Sequence, residues 1–414
     1  MAHSEIVTGI DIGTSKVRIV TLQHLPEGGM QVIGAAEHDM EGMAKGSIKS
    51  IEEAVSSISE CLEKAERMIG APIENAIIGI SGSHIITQES KGVVAVAKAN
   101  GEIQEDDVDR VIEAAQTVAT PPNYEILHII PKDFTVDSQT NIKDPVGLTG
   151  IRLEVNAQMI LGLTAQIRNL TKCIYRTGVD IVDLVFSILA NSESTLTKKQ
   201  KELGVCLLNI GAATTSLVVF EEGNILHSKI LPIGSNHITN DLAIGLRTAI
   251  PTAEIVKLEY GQAIAKDVPK RDEIDLSDIA DTEKVGSNIS LRHVAEIIQA
   301  RVEEIFDMVN GELRVIKRDG MLPSGIVITG GGSKLPGLIE LAKQQLNLPA
   351  FLGYPLSVDT TIDKINDPEY TQALGLALWG TKQSNSKTGL RLGSFSSVEK
   401  TVGSIKDWFQ SLLP

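Results

Sequence analysis

Aromatic side chains are scarce in this 414-residue chain: they make up 3% of it, and only two are tryptophan. A core with so few rings must be aliphatic, which suits helices packed on β-branched strands, an α/β interior. Cysteine is scarcer still, and the three present, Cys61, Cys173 and Cys206, share no CxxC or metal spacing. That argues against a disulfide framework or a zinc site and makes a reducing cytoplasm the expected setting. Positive charge is in deficit, with 38 Lys and Arg against 53 Asp and Glu, a formal −15. Nucleic acid is therefore not expected as the main partner. No apolar run approaches the roughly 20 residues that span a bilayer, and the opening Met-Ala-His-Ser-Glu carries no signal peptide. The 42% apolar content excludes a disordered chain. A chain this long requires about two to four subdomains.

What is present begins with Ile6-Val-Thr-Gly-Ile-Asp-Ile-Gly-Thr-Ser-Lys-Val-Arg-Ile-Val20. Two β-branched runs flank a small polar turn, which reads as a hairpin. Such a turn can aim backbone amides, the hydroxyls of Thr14 and Ser15 and the Lys16 ammonium at one anion, with Gly13 permitting the bend. Asp11 at the mouth can hold the water shell of Mg²⁺. An ordinary edge hairpin with a polar turn fits the same residues. Val205 to Phe220 repeats the plan about half a chain later, with Asn209, Gly211, Ala212 and Thr214 at its turn. Two copies suggest a duplicated architecture with two hairpins facing one cleft. A third stretch, Gly325 to Gly337, is a buried-looking strand that ends in Gly330, Gly331 and Gly332, followed by Ser333 and Lys334. Glycines there let the backbone approach a flat ligand closely, because no Cβ intervenes.

These elements, in this order, resemble the phosphate 1, phosphate 2 and adenosine motifs of the actin/Hsp70/sugar-kinase ATPase superfamily. The resemblance implies a duplicated actin-like (ribonuclease H-like) α/β fold that binds ATP with Mg²⁺. In the second hairpin Asn209 stands where the superfamily usually has Asp, and Ala212-Ala213 where glycines are common. A neutral Asn brings no charge to a metal or an attacking water. ATP binding is expected to survive on Asp11, Lys16 and the backbone, with hydrolysis slow at most.

Along the chain, Gln31 to His38 reads as a third strand and Gly42 to Gly46 as a loop. Ser50-Ile-Glu-Glu53 has capping-box spacing, and Ile51, Val55, Ile58, Leu62, Ala65 and Ile69 recur at helical intervals up to Gly70. Asn75 to Ser81 is a buried strand. From Gly82 to about Gln158 the pattern changes to short strands (Ile85–Thr87, Val93–Ala97, Leu127–Ile130, Phe134–Val136), a helix over Glu105–Val118, and a turn-rich return at 142–154. This early α+β insertion, with Ile78-Gly-Ile-Ser-Gly-Ser-His84 and Asp144-Pro-Val-Gly-Leu-Thr-Gly150, is similar to the FtsA family of bacterial actin-like cell-division proteins. In that family the inserted subdomain is implicated in polymer contacts and in binding division partners.

The FtsA resemblance supplies further expectations. Thr252 to Gly261 forms a helix with Glu254 and Lys257 three apart; they are either a surface ion pair or, as the family implies, neighbours of the ribose. His293 to Val309 is a long helix near where the family receives the C-terminal peptide of the tubulin homologue FtsZ. Arg301 is matched to that acidic peptide, although a lone arginine is also compatible with simple solvation. Helices are further expected over 335–346 and 367–381. A flexible linker at 382–397 leads to Val398–Pro414, where Val402, Ile405, Trp408, Phe409 and Leu412 share one face with charges opposite. Such a stripe needs a membrane surface or a partner groove, and the membrane is favoured. The expected layout is subdomain 1A at 1–83 and 159–197, inserted 1C at 84–158, 2A at 198–236 and 310–381, and 2B at 237–309. The implied function is an ATP-binding, self-polymerising protein that tethers the FtsZ ring to the inner face of the cytoplasmic membrane at the division site and recruits later division proteins. A related pilus-assembly homologue and a sugar-kinase-type phosphotransferase are the alternatives.

Overall fold

The computed structural model describes residues 6–25, 28–279, 288–356 and 358–386. The first hairpin forms as expected, β1 (Ile6–Ile12) and β2 (Lys16–His24) pairing antiparallel with Asp11 opposite Arg18. β3 (Met30–Asp39) adds to β2, and the expected loop at 42–46 opens a miniature ribbon in which β4 (Met43–Ala44) pairs with β5 (Ser47–Ile48) just beyond it. Helix α1 (Ile51–Ile69) starts at Ser50, whose hydroxyl accepts from the Glu53 N–H at 3.4 Å, and stops at a left-handed Gly70. β6 (Asn75–Ile80) then pairs parallel with β1.

The inserted segment folds on its own core. β7 (Ile85–Ala95), α2 (Glu105–Gln116), β8 (Tyr124–Val136), β9 (Gln139–Ile142) and β10 (Arg152–Leu163) form a four-stranded sheet in the order β7-β10-β8-β9, with α2 packed on it. Two expectations change here. The four short strands join into two long ones, and the turn-rich return gives way to β10 from Arg152 onward. Continuous pairing with β10 carries β7 through Glu89–Gly92 and β8 through Pro131–Asp133, where the apolar pattern lapses. The register slips beside Pro131, which has no N–H to offer the ladder.

The chain returns through α3 (Thr164–Arg176), β11 (Asp180–Phe186), α4 (Ser187–Thr195) and α5 (Lys198–Leu203). The second half comprises β12 (Val205–Ile210), β13 (Thr215–Glu221), β14 (Asn224–Leu231), α6 (Ser235–Leu246), α7 (Ile250–Tyr260), a short ribbon of β15 (Glu273–Asp275) and β16 (Asn288–Ser290), α8 (Leu291–Val315), β17 (Ile326–Thr329), α9 (Leu338–Leu346) and β18 (Ala350–Leu352). β19 (Asp359–Thr360) joins the edge of the first sheet, and α10 (Thr371–Ser386) packs across β1.

The sheet orders establish the duplication. The first reads β11-β6-β1-β2-β3 and the second β18-β17-β12-β13-β14, with antiparallel and parallel pairs in corresponding places. β12 alternates as a doubly covered strand must. Val205 and Leu207 face the core shared with the first half, while Cys206, Leu208 and Ile210 face α8 and α9. Both hairpins therefore end at the same edge of their sheets, aimed at one cleft.

Some boundaries move. The helix expected over 335–346 begins at Leu338, because its N-cap, Gly337, sits in the left-handed region at φ +78°. The helix expected over 367–381 spans 371–386, because Pro368–Tyr370 make a separate turn capped by Asp367. Its extension includes Lys382, assigned to the linker above, whose ammonium is held by Glu193 of α4. The remainder of the linker, 387–397, and Val402, Ile405, Trp408, Phe409 and Leu412 lie outside the described residues.

Candidate functional site

Between the two hairpins lies a cavity of about 630 Å³. All fifteen residues picked from the sequence line it: Asp11, Gly13, Thr14, Ser15 and Lys16; Asn209, Gly211, Ala212 and Thr214; Glu254 and Lys257; Gly330, Gly331, Gly332 and Lys334. The two turns are closed alike, the Gly13 N–H on the Lys16 carbonyl at 3.0 Å and the Gly211 N–H on the Thr214 carbonyl at 2.9 Å. On the far side, the Ser15 carbonyl accepts from Met40, and the Gly211 and Ala212 carbonyls accept from Ser235 and Asn236. Committing the turn oxygens to protein donors is what a turn presenting amides to an anion requires.

The glycine run has steric reasons. Gly330 adopts φ +84°, and a Cβ there would collide with the Asn209 side chain; one on Gly332 would meet Ile210 at 2.5 Å. Gly331 differs, because a Cβ would touch only Glu369, at 3.6 Å. Glu254 and Lys257 pair at 2.6 Å, and Thr239 binds both, so the ion pair exists and sits in the cavity wall. The two readings of this pair are thus compatible.

The cations at the cavity are already partnered. Lys16 reaches Glu37 at 3.4 Å and Asp39 at 3.9 Å; Lys334 reaches Asp367 at 2.7 Å and Glu369 at 3.3 Å. Arg18 joins these groups by pairing with both Glu37 and Glu369. Buried Asp11 has its carboxyl pushed above the ordinary range by desolvation, opposed by the charge of Arg18 and a hydrogen bond from Gln372. A lone buried carboxylate short of positive charge fits Mg²⁺ held through water and phosphate oxygens, the usual Mg²⁺ arrangement. Among the described residues no group of three or more His, Cys, Asp or Glu could hold a metal unaided.

Arg18, Glu369 and Gln372 were missed from sequence. Each acts through partners far along the chain, and only the first lies in a motif. Arg301 does not line the cavity; it sits on α8, bound to Asp241 of α6 at 2.5 and 2.9 Å and to Glu304. The cysteines take no part: all three are buried, and burial pushes the thiols of Cys61 and Cys206 up to about 12.

The chain is similar to known proteins. Residues 206–375 match the family model "Cell division protein FtsA", and residues 82–161 match "SHS2 domain inserted in FTSA". The cell division protein FtsA of Bacillus subtilis is 36% identical over 409 residues, covering 98% of this chain and 90% of the relative. That of Pseudomonas aeruginosa is 34% identical over 411 residues, covering 98% of each. The chain belongs to the FtsA family. Its insertion is therefore the SHS2 domain of that family, and its fold is actin-like. Among solved structures, the PilM-PilN type IV pilus biogenesis complex matches with TM-score 0.67 at 18% identity, covering 90% of this chain and 98% of the other. MreB5 of Spiroplasma citri bound to ADP matches with TM-score 0.55 at 13% identity, covering 93% and 99%. At such identities these two report the fold alone. Among the described residues no helix is long and apolar enough to cross a membrane.

Proposed function

We propose that this chain is an ATP-binding cell-division protein that polymerises, links the FtsZ ring to the cytoplasmic membrane and recruits later division proteins through its SHS2 domain. The observation that carries the nucleotide reading is the meeting of both hairpin turns and the glycine run around one cavity. The actin-like MreB5 was solved with ADP and with AMPPNP, which supports the same ligand class here. The turn amides would take the phosphates, Asp11 the water shell of Mg²⁺, and Glu254 and Lys257 the ribose edge. Bound Mg²⁺ would neutralise phosphate charge. Asn209 contributes no carboxylate, so hydrolysis is slow and nucleotide acts mainly as a ligand that sets closure of the two halves.

Calorimetric titration should give Mg²⁺-dependent ATP binding that Gly331→Glu abolishes by setting a second carboxylate beside Glu369. Unaltered affinity in that variant would overturn the assignment.

Identity of 34–36% to cell division proteins over nearly the whole chain favours this reading over the pilus-assembly and sugar-kinase alternatives. At Arg301, an acidic FtsZ C-terminal peptide would exchange for Asp241 and Glu304, and Arg301→Glu should weaken its capture. At the tail, each large side chain inserted in lipid contributes about 1.5–3 kcal/mol at full burial. Helix formation offsets part of that gain, so a single tail binds weakly while a filament of tails binds tightly. Trp408→Glu should release the protein from liposomes at any salt concentration; sedimentation that persists in this variant contradicts a hydrophobic anchor.

A further inference from the structure

Asp11 and Asn209 occupy equivalent positions in the duplicated hairpins, each two residues before the turn glycine. A single side chain joins them. Gln372, in the first turn of α10, donates from Nε2 to Asp11 Oδ1 at 2.5 Å and accepts at Oε1 from Asn209 Nδ2. The polarity is dictated chemically. A carboxylate only accepts, so it takes the amide NH₂ and leaves the amide oxygen facing residue 209, which must then donate. Asn donates and Asp does not. The oxygen of Asn209 is packed against Gly330, where any Cβ would collide with it. Both hairpins and the glycine run thus converge on one amide chain.

We propose that Gln372 is a positioning residue that orients Asp11 toward the cation and, through Asn209, ties cation occupancy in the first half to the placement of the second hairpin and the glycine run. Asn209 is then the complement of Gln372 rather than merely a lost carboxylate. The proposal rests on the Mg²⁺–nucleotide reading of the cavity and adds the coupling within it.

The test compares ATP affinity in Mg²⁺ and in EDTA for the unmodified protein, Gln372→Ala, Asn209→Ala and the double variant, each checked for folding by thermal melting. A hydrogen bond to a charged group is worth about tenfold in binding, so Gln372→Ala should lose about that factor in Mg²⁺ and less than about twofold in EDTA. Asn209→Ala should lose less, and the double variant no more than Gln372→Ala, because the residues act as one chain. If truncation unfolds the protein, Gln372→Met keeps the length without polar atoms and carries the same expectation. Equal losses in both buffers, independent losses that add, or full affinity in Gln372→Ala would each overturn the proposal. Absence of ATP binding by the unmodified protein in Mg²⁺ would instead bring down the nucleotide reading itself.

Discussion

His128, on β8, is a histidine that the fold requires to be neutral. It is buried, and its Nε2 accepts a hydrogen bond from the Phe186 N–H at 2.8 Å, a role an imidazolium cannot fill. Burial pushes its pKa down to about 4 from 6.5, with the charge of Asp183 opposing. The unfolded chain therefore binds a proton that the folded chain refuses between pH 6.5 and about 4. Stability from this residue is complete above that window and is lost as pH falls through it, by about 1.4 kcal/mol per pH unit. His128→Gln keeps an acceptor that does not titrate. Urea midpoints measured at several pH values should fall less steeply in this variant, by about one proton's worth of slope; an unchanged slope would place the acid sensitivity elsewhere.

At the scale of elements, what could be read from sequence was what neighbours in the chain decide. The cap at Ser50, the apolar stripe of α1 and the stop at Gly70 are local, and so are both hairpins, where apolar runs flank a glycine turn. β7 and β8 were cut short because Glu89-Ser-Lys-Gly92 and Pro131-Lys-Asp133 interrupt the apolar pattern, and the register with β10 that bridges them is set from elsewhere in the chain. The crossing of α4 and α10 was equally hidden. There Gly375 presses so close to the Ala190 carbonyl that a Cβ has no room, and Ser194 donates to the Thr371 carbonyl at 2.5 Å. α4 is almost wholly buried despite carrying Ser187, Asn191, Ser192, Ser194 and Thr195; Asn191 donates to Thr329 of β17 at 3.0 Å, and Thr195 donates to Asn191 at 2.9 Å within the helix. Gly375→Val should destabilise by about 3 kcal/mol or more, since neither backbone can give way, whereas Ser50→Ala should cost only about 1 kcal/mol. Chemical denaturation of both variants tests the ranking, and a smaller loss at Gly375 would mean the crossing can relax.

For the whole molecule, the repeat of the hairpin plan half a chain apart foretold the duplication, but not how completely the halves share one interior. Leu207, Val218 and Val327 of the second sheet lie in the same buried cluster as Ile10 and Ile78 of the first sheet and Trp379 of α10. The SHS2 domain has a separate core, yet it also reaches the second half: Ser228 donates to Gln158 at 2.7 Å in a buried contact, and Lys143 pairs with Glu222 at 3.2 Å. A shared core and a second bridge should make the halves one cooperative unit, even though the cleft between them looks like a domain boundary. Nucleotide bound in that cleft stabilises whatever unit contains both walls. At a hundredfold excess over its dissociation constant, ATP with Mg²⁺ should add about 2.7 kcal/mol. Scanning calorimetry is therefore expected to show the sheets of both halves melting in one transition that moves upward as a whole by several degrees with ligand. Two transitions, of which only one responds to nucleotide, would show instead that the walls of the cavity unfold independently and that the common interior contributes little.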